Sequence, residues 1–346
     1  MNAVVNAHNE WDPLEEVIIG RIDDAQIPAP GPDLFAIEYA DHGSPENIPS
    51  GRLPADVIEQ TAVELDLLSD TLRDLGVTVR RPAATPHASR FGTMNWQTDG
   101  FYNYCPRDVL LAIGDLLVET PMALRSRFLE PFAYKDLLLE YFDAGARWIS
   151  APKPRLLDEL FDADAAAGSR LRDLEPVFDA ANVLKLGRDI LYLVSDSGNE
   201  MGARWLQRAL GDEYTVHPAR GVYASTHVDS TIVPLGPGRV LLNPERVNDR
   251  NMPEFLRSWD VIWAPEMVDT GFVGERPYCS TWIGMNLLVV RPGLVIADDR
   301  QKPLIATLEA HGIDVVPLRL THSRTLGGSF HCVSLDVRRN GTLERY

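Results

Sequence analysis

Cysteine is scarce in this chain: 346 residues hold only Cys105, Cys279 and Cys332, and no two of them form a CxxC pair. With no disulfide framework and no secretory signal peptide to be read, a reducing cytoplasmic compartment is expected. A GxGxxG fingerprint is absent, which leaves a dinucleotide site without support. No apolar run reaches the length of a membrane span, and no low-complexity tract interrupts the chain. Positive charge is short as well, with 33 Lys and Arg against 50 Asp and Glu and a formal net charge of -17. That balance argues against a nucleic-acid or anionic-membrane partner and favours long-range attraction of cationic small molecules.

What is present suits a soluble globular enzyme, with 45% hydrophobic and 24% charged residues. A chain of this length can bury a substantial core as one large domain or two. Near the start, Val17-Ile18-Ile19-Gly20 reads as a short apolar strand. Residues 22–54, rich in Pro, Gly and Asp, read as a long surface loop of the lid or binding kind. An amphipathic helix is expected near 55–75, with Val57, Ile58, Leu65, Leu68, Leu72 and Leu75 on one face, closed by Gly76 and followed by the strand Val77-Thr78-Val79.

That helix, turn, strand unit recurs. Residues 72–79 are echoed at 308–315 and more loosely at 142–149, with weaker copies at 206–216 and 255–263. Between the copies lie hairpin candidates at 109–118, 183–194, 230–242 and 287–297, each around a Gly-containing turn. A fifth is expected where Val333-Ser334-Leu335-Asp336-Val337 alternates and Thr342-Leu343-Glu344-Arg345-Tyr346 returns after Arg339-Asn340-Gly341. Five such units predict a pseudo-symmetric α/β ring and not a doubly wound sheet.

The residues leading into these hairpins are Arg107-Asp108, Asp179 with Asn182, His227 with Asp229, Met285-Asn286, and Cys332. Alone, each carboxylate reads better as a turn cap or a solvated charge, and Cys332 as a small buried hydrophobe. If the units surround one axis in the same orientation, however, a thiol, an imidazole and three carboxylates meet in a central cavity. Cys332 is the expected nucleophile. His227 and Asp229, two apart in an extended segment, point to one face, whereas His331 beside Cys332 points to the other and is discounted as a base.

Several segments then resemble one family. They are Tyr104-Cys105-Pro106-Arg107-Asp108, residues 121–128, Ala151-Pro152-Lys153-Pro154, residues 175–182, Asn199-Glu200-Met201-Gly202, His227-Val228-Asp229 and residues 326–332. Together they look like the arginine amidinotransferases, from near residue 9 to the end, and are most similar to the inosamine-phosphate branch of streptomycin-type aminoglycoside biosynthesis. The resemblance implies one domain over 1–346, the five-bladed α/β propeller of the guanidine-modifying superfamily, and ping-pong transfer of an amidino group from L-arginine with release of ornithine. Neither a metal nor another cofactor is implied. Oligomeric state is not read from the sequence, and a homodimer stays open.

The chemistry asks for these residue types. A guanidinium is a planar cation whose donors match carboxylates, so Asp108 and Asp229 are expected to hold it. Cys332, ionised with the help of the substrate cation and an imidazolium, attacks the central carbon. The resemblance gives His227 the proton transfers, Asp179 the orientation of its ring, Arg246 the arginine carboxylate, and Ser280 and Thr281 a substrate loop. Arg125 and Arg127 read as structural. Glycine-specific relatives have an Asn-Pro-Met-His arrangement where this chain has Ala224-Ser225-Thr226-His227, and the smaller side chains predict a roomier acceptor pocket for an amino-cyclitol phosphate. Glycine or another bulky amine is the alternative acceptor. An arginine deiminase-like hydrolase and a non-catalytic arginine-binding propeller are the alternatives from other classes.

Overall fold

Short runs of Val, Leu and Ile between Gly-containing turns become strands, and each hairpin takes one further strand delivered by a helical or irregular connection. The computed structural model describes residues 4–346. Five three-stranded sheets share one connectivity, an antiparallel pair whose second member pairs in parallel with a third strand. In chain order the four local hairpins are Leu110–Ile113 with Leu116–Glu119, Val183–Leu186 with Asp189–Leu193, Ile232–Gly236 with Arg239–Leu242, and Leu288–Arg291 with Leu294–Asp298. All four fall where the turn pattern puts them.

The fifth is assembled differently from the sequence expectation. Ser334–Arg339 does not return on residues 342–346. It pairs antiparallel with Leu14–Ile19, from Leu14 opposite Arg339 to Ile19 opposite Ser334, and Leu14–Ile19 pairs in parallel with Thr78–Arg80. Leu14–Ile19 is almost wholly buried, so it offers the apolar partner that the polar tail Thr342-Leu343-Glu344-Arg345 lacks. The sheet that carries Cys332 is thus built from both ends of the described chain.

The connecting helices are Ala55–Asp74, Lys135–Asp143, Glu200–Leu210 and Lys302–Ala310. Gly76 follows the first of them at φ 87°, a left-handed conformation that lets the chain turn sharply into its strand. The unit at 255–263 departs from expectation, because only the short 3-10 turn Glu254–Leu256 forms there. Asn248-Asp249-Arg250-Asn251 takes up a turn instead, with the side chains of Asn248 and Asn251 bonded to local backbone N–H groups.

Each sheet shares an apolar core with the next. Ile18 and Leu335 pack with Leu110 and Leu117; Leu111 and Val118 with Val183 and Ile190; Leu184 and Leu191 with Val233 and Leu241, a cluster that continues to Val289 and Val295. The order closes, since Leu288 and Ile296 pack with Val17 and Ile19 of the first sheet. Residues 22–54 are not a plain surface loop. Leu34, Ile37, Tyr39 and Ile48 are buried with Trp96, Leu124 and Leu156 in a separate cluster that roofs one side of the site.

Candidate active site

The five segments that precede the sheets are not extended. Pro106–Val109 is a helical turn, Ala180–Asn182 and Thr281–Met285 are 3-10 turns, and residues around 229–230 and 330–333 are turns. This tight winding turns alternate side chains inward and outward in ways that strand periodicity does not foresee. Asp108 faces a small cavity while its neighbour Arg107 turns to the opposite side.

Cys332 is buried, and its Sγ–H donates to Oδ2 of Asp229 at 3.2 Å. Its backbone N–H and that of His331 both donate to Oδ1 of Asn286, at 3.1 and 3.0 Å. Gly328 permits this packing: a Cβ there would lie 2.6 Å from Cys105 Sγ and 3.1 Å from Cys332 Cβ. The protein's own groups disfavour the thiolate. A hydrogen bond shared with Cys105, burial, and the Asp229 and Asp108 carboxylates together hold the Cys332 thiol well above its usual value. The expectation that an imidazolium helps to ionise it is therefore not met by the protein alone.

His331 does lie near the thiol, contrary to the extended-strand reading, because the strand begins only at Ser334. Its Nδ1 is 3.0 Å from the same Asp229 oxygen, and its Nε2 is 3.3 Å from Oε2 of Glu10. Burial opposes ionisation of Asp229, but the hydrogen bond and charge of His331, the charge of His227 and the thiol hydrogen bond outweigh it and hold the carboxyl well below its usual range.

His227 stands on the other wall. Its Nε2 is 3.0 Å from Oδ2 of Asp179, whose Oδ1 accepts from the Ala123 N–H, and its Nδ1 is 3.6 Å from Oδ1 of Asp108. Burial works against the imidazolium, yet Asp108, Asp179 and Asp229 prevail and raise His227 to about 9. Asp108 is only half engaged: Oδ2 accepts from Nη1 of Arg127 at 2.6 Å, whereas Oδ1 is buried with no hydrogen-bond partner. Arg127, which also lines the cavity, is itself clasped by Glu130, and Arg125 is bonded to Leu156 O and Asp158, so both guanidinium groups are engaged by the protein's own groups.

The cavity, about 60 Å³, is walled by Asp108, Asp179, His227, Thr226, Tyr278 and Gly327 among others, so Thr226 faces it as expected. Ser225 lines it too. Ala224 does not, because it packs on Gly168, and its small size adds no room. Arg246 is one layer further out, stacked 3.7 Å over the ring of Tyr223, a wall residue, and bonded to Ser230, Thr231 and Ser280. Ser280 therefore joins the cluster through Arg246, while Thr281 opens the following turn without a side-chain hydrogen bond. Sequence reasoning missed Glu38, which reaches the cavity from residues 22–54; burial pushes its carboxyl up to about 7 against the pull of His227. No local pattern marks that residue. The aromatic run Phe101-Tyr102-Asn103-Tyr104 was the available sign of the wall formed by Phe101 and Tyr102.

Behind the cavity lies a buried ionic network. Arg107 donates to Glu10 and Asp336 and to the carbonyls of His331 and Ser334; Lys185 and Arg339 also bond Asp336. Burial opposes ionisation of Glu10, but Lys185 and Arg107 lower it to about 2 even with Asp336 nearby. Through Glu10 and His331 this network is tied to Asp229.

A buried thiol, an imidazole and converging carboxylates are the equipment of an enzyme, and the surplus of negative groups suits a cationic, planar substrate group. No protein-family model matches the chain. It is 63% identical to inosamine-phosphate amidinotransferase 1 of Streptomyces glaucescens over 345 residues, covering 99% of each, and 36% identical over 360 residues to the mitochondrial glycine amidinotransferase of Danio rerio, covering 99% of this chain and 84% of that one. The solved inosamine-phosphate amidinotransferase of Streptomyces griseus superposes with a TM-score of 0.99 at 63% identity, covering 100% of this chain and 99% of that one. A dimethylarginine dimethylaminohydrolase, at 13% identity and a TM-score of 0.60 over 93% of this chain and 99% of that one, shares the α/β fold. The chain belongs to the amidinotransferase family and is an enzyme. Among the described residues no helix is long and apolar enough to cross a membrane.

Proposed function

We propose that this enzyme transfers the amidino group of L-arginine to an amino-cyclitol phosphate of the scyllo-inosamine 4-phosphate type, releasing L-ornithine, through an amidino group carried on Cys332. One observation supports the reading: the Cys332 thiol sits 3.2 Å from Asp229, and Asp108, whose bare Oδ1 is buried at the cavity wall, acts on the same thiol with its charge. A guanidinium held by these two carboxylates satisfies the orphaned oxygen and offsets the negative charge that keeps the thiol protonated. Substrate binding therefore releases the thiol proton to solvent, and the thiolate attacks the central carbon of the group that enabled it. His227, protonated near neutral pH and braced by Asp179, donates its proton to the ornithine nitrogen as the carbon–nitrogen bond breaks. It then takes a proton from the acceptor amine, which attacks the same carbon and returns the thiolate. Arg246, with Ser280, serves the arginine carboxylate from behind Tyr223, and Thr281 belongs to the same loop.

The acceptor rests on likeness to the inosamine-phosphate enzymes and on the small Ser225 and Thr226 side chains in the wall. The closing order of the five cores supports a five-bladed propeller, and with it a single domain over 1–346. The test is arginine alone: intact mass should gain one amidino group on Cys332 with stoichiometric ornithine, and Cys332→Ser should abolish both. Citrulline as the product would mean that water is the acceptor. With acceptors present, kcat/KM should be higher for the inosamine phosphate than for glycine, and the reverse order would remove the cyclitol assignment.

A further inference from the structure

Beside the catalytic cavity lies a larger chamber of about 630 Å³, and the two share Glu38, Phe101 and Tyr278 in their walls. Arg276 lines the larger one. Its guanidinium is fixed 3.7 Å over the ring of Tyr39, half-buried, with Nη1 shielded from solvent and lacking any hydrogen-bond partner. The other half-buried or buried arginines among the described residues each bond a carboxylate, a hydroxyl or a backbone carbonyl, as Arg107, Arg127, Arg246 and Arg300 do. A shielded cation with unused donors is costly unless something comes to meet it. Across the same chamber stands Arg52, exposed and also without an ion pair.

We infer that this chamber is the acceptor's subsite, in which Arg276 and Arg52 bind a phosphomonoester dianion while the amine end of the same molecule passes Glu38 into the catalytic cavity. The inference rests on the amidinotransferase reading above and adds the site for the acceptor's phosphate. The geometry suits an acceptor with opposite charges at its two ends. The inner passage is bordered by a carboxylate and aromatic faces, which accept an ammonium and a ring, and the chamber supplies forked donors that match phosphate oxygens. The remaining carboxylates of the chamber, Glu46 and Glu275, are exposed and hydrated, so they oppose the dianion weakly. Glycine has nothing to offer Arg276, and a dephosphorylated cyclitol leaves its buried nitrogen unmet.

The experiment compares kcat/KM for the inosamine phosphate and its dephosphorylated form in wild type, Arg276→Gln and Arg52→Gln. Ornithine release with arginine alone gauges the donor site separately. Arg276→Gln should lower kcat/KM for the phosphorylated acceptor roughly 10-fold or more, the size of a lost charge-assisted contact, and leave the dephosphorylated acceptor near its wild-type value. Arg52→Gln, at an exposed position that no packing depends on, should lower the same ratio by a smaller factor. A wild-type preference for the phosphate that survives both substitutions overturns this inference alone. A wild type that forms the Cys332 adduct but prefers glycine overturns the acceptor reading, and this inference with it.

Discussion

Replacing Asp229 by Asn separates two properties that usually move together in a cysteine enzyme. The carboxylate accepts the Cys332 Sγ–H hydrogen bond at 3.2 Å and is the anion nearest to the sulfur. Two unit charges at that distance repel by about 5 kcal/mol at an effective dielectric of about 20. With that repulsion and the thiol hydrogen bond both removed, Asp229→Asn should bring the Cys332 thiol down towards its ordinary range, though the Cys105 hydrogen bond and burial still hold it up. The thiol becomes more reactive, yet the enzyme becomes worse. Arginine loses one ionic partner, and its kcat/KM should fall by roughly 10- to 100-fold, the size of a hydrogen bond to a charged group. The assay is alkylation of Cys332 by iodoacetamide near neutral pH, followed by peptide mass spectrometry, alongside ornithine release. Alkylation should be faster in the variant by ~10-fold or more, while ornithine release is slower. Slower or unchanged alkylation would refute the claim that Asp229 holds the thiol protonated, and unimpaired arginine use would refute its role towards the guanidinium.

Two further outcomes follow from the electrostatics. His227 is raised to about 9 from an ordinary 6.5, so its contribution to folding is complete below that ordinary value and is lost as pH rises through about 9. The stability gap between wild type and His227→Gln should therefore shrink by up to about 3 kcal/mol between about pH 6 and pH 9.5 in urea titrations, and a gap independent of pH would contradict it. Lys185→Met leaves Asp336 and Glu10 with fewer buried cations, and it should cost about 3 to 5 kcal/mol in the same titrations, since breaking a buried pair strands its partner. A loss below ~1 kcal/mol would mean that Arg107 and Arg339 suffice.

The four local hairpins and their Gly turns were legible because turn chemistry and alternation act over a few residues. Asp108, Asp179, His227, Asp229 and Cys332 were legible as a set through their shared position before each hairpin, and the structure holds them as two groups that interact through their charges, Cys332 with Asp229 and His227 with Asp108 and Asp179. The direction of His331 was not, because it depends on whether residues 330–333 wind or extend, and Asn286, distant in sequence, decides that by accepting two successive backbone N–H groups. Glu38 was invisible for the same kind of reason: residues 22–54 acquire their course only by burying Leu34 and Ile37 against Trp96 and Leu156. The pairing of Ser334–Arg339 was misjudged because a nearby tail was preferred to a partner more than three hundred residues away.

That distant pairing has a consequence for the order of events during synthesis on the ribosome. Cys332 follows every other residue of the site in the chain, and its sheet needs a strand, Leu14–Ile19, that emerged long before and has waited with an unpaired edge. Contacts of such separation carry a large closure entropy and form late. The nascent chain therefore cannot assemble its thiol, Asn286 and Asp229 together until synthesis has passed the final strand, and no partly made chain holds the complete site. Meanwhile the waiting strand is the place where a chaperone, or a second nascent chain, would find an open β edge.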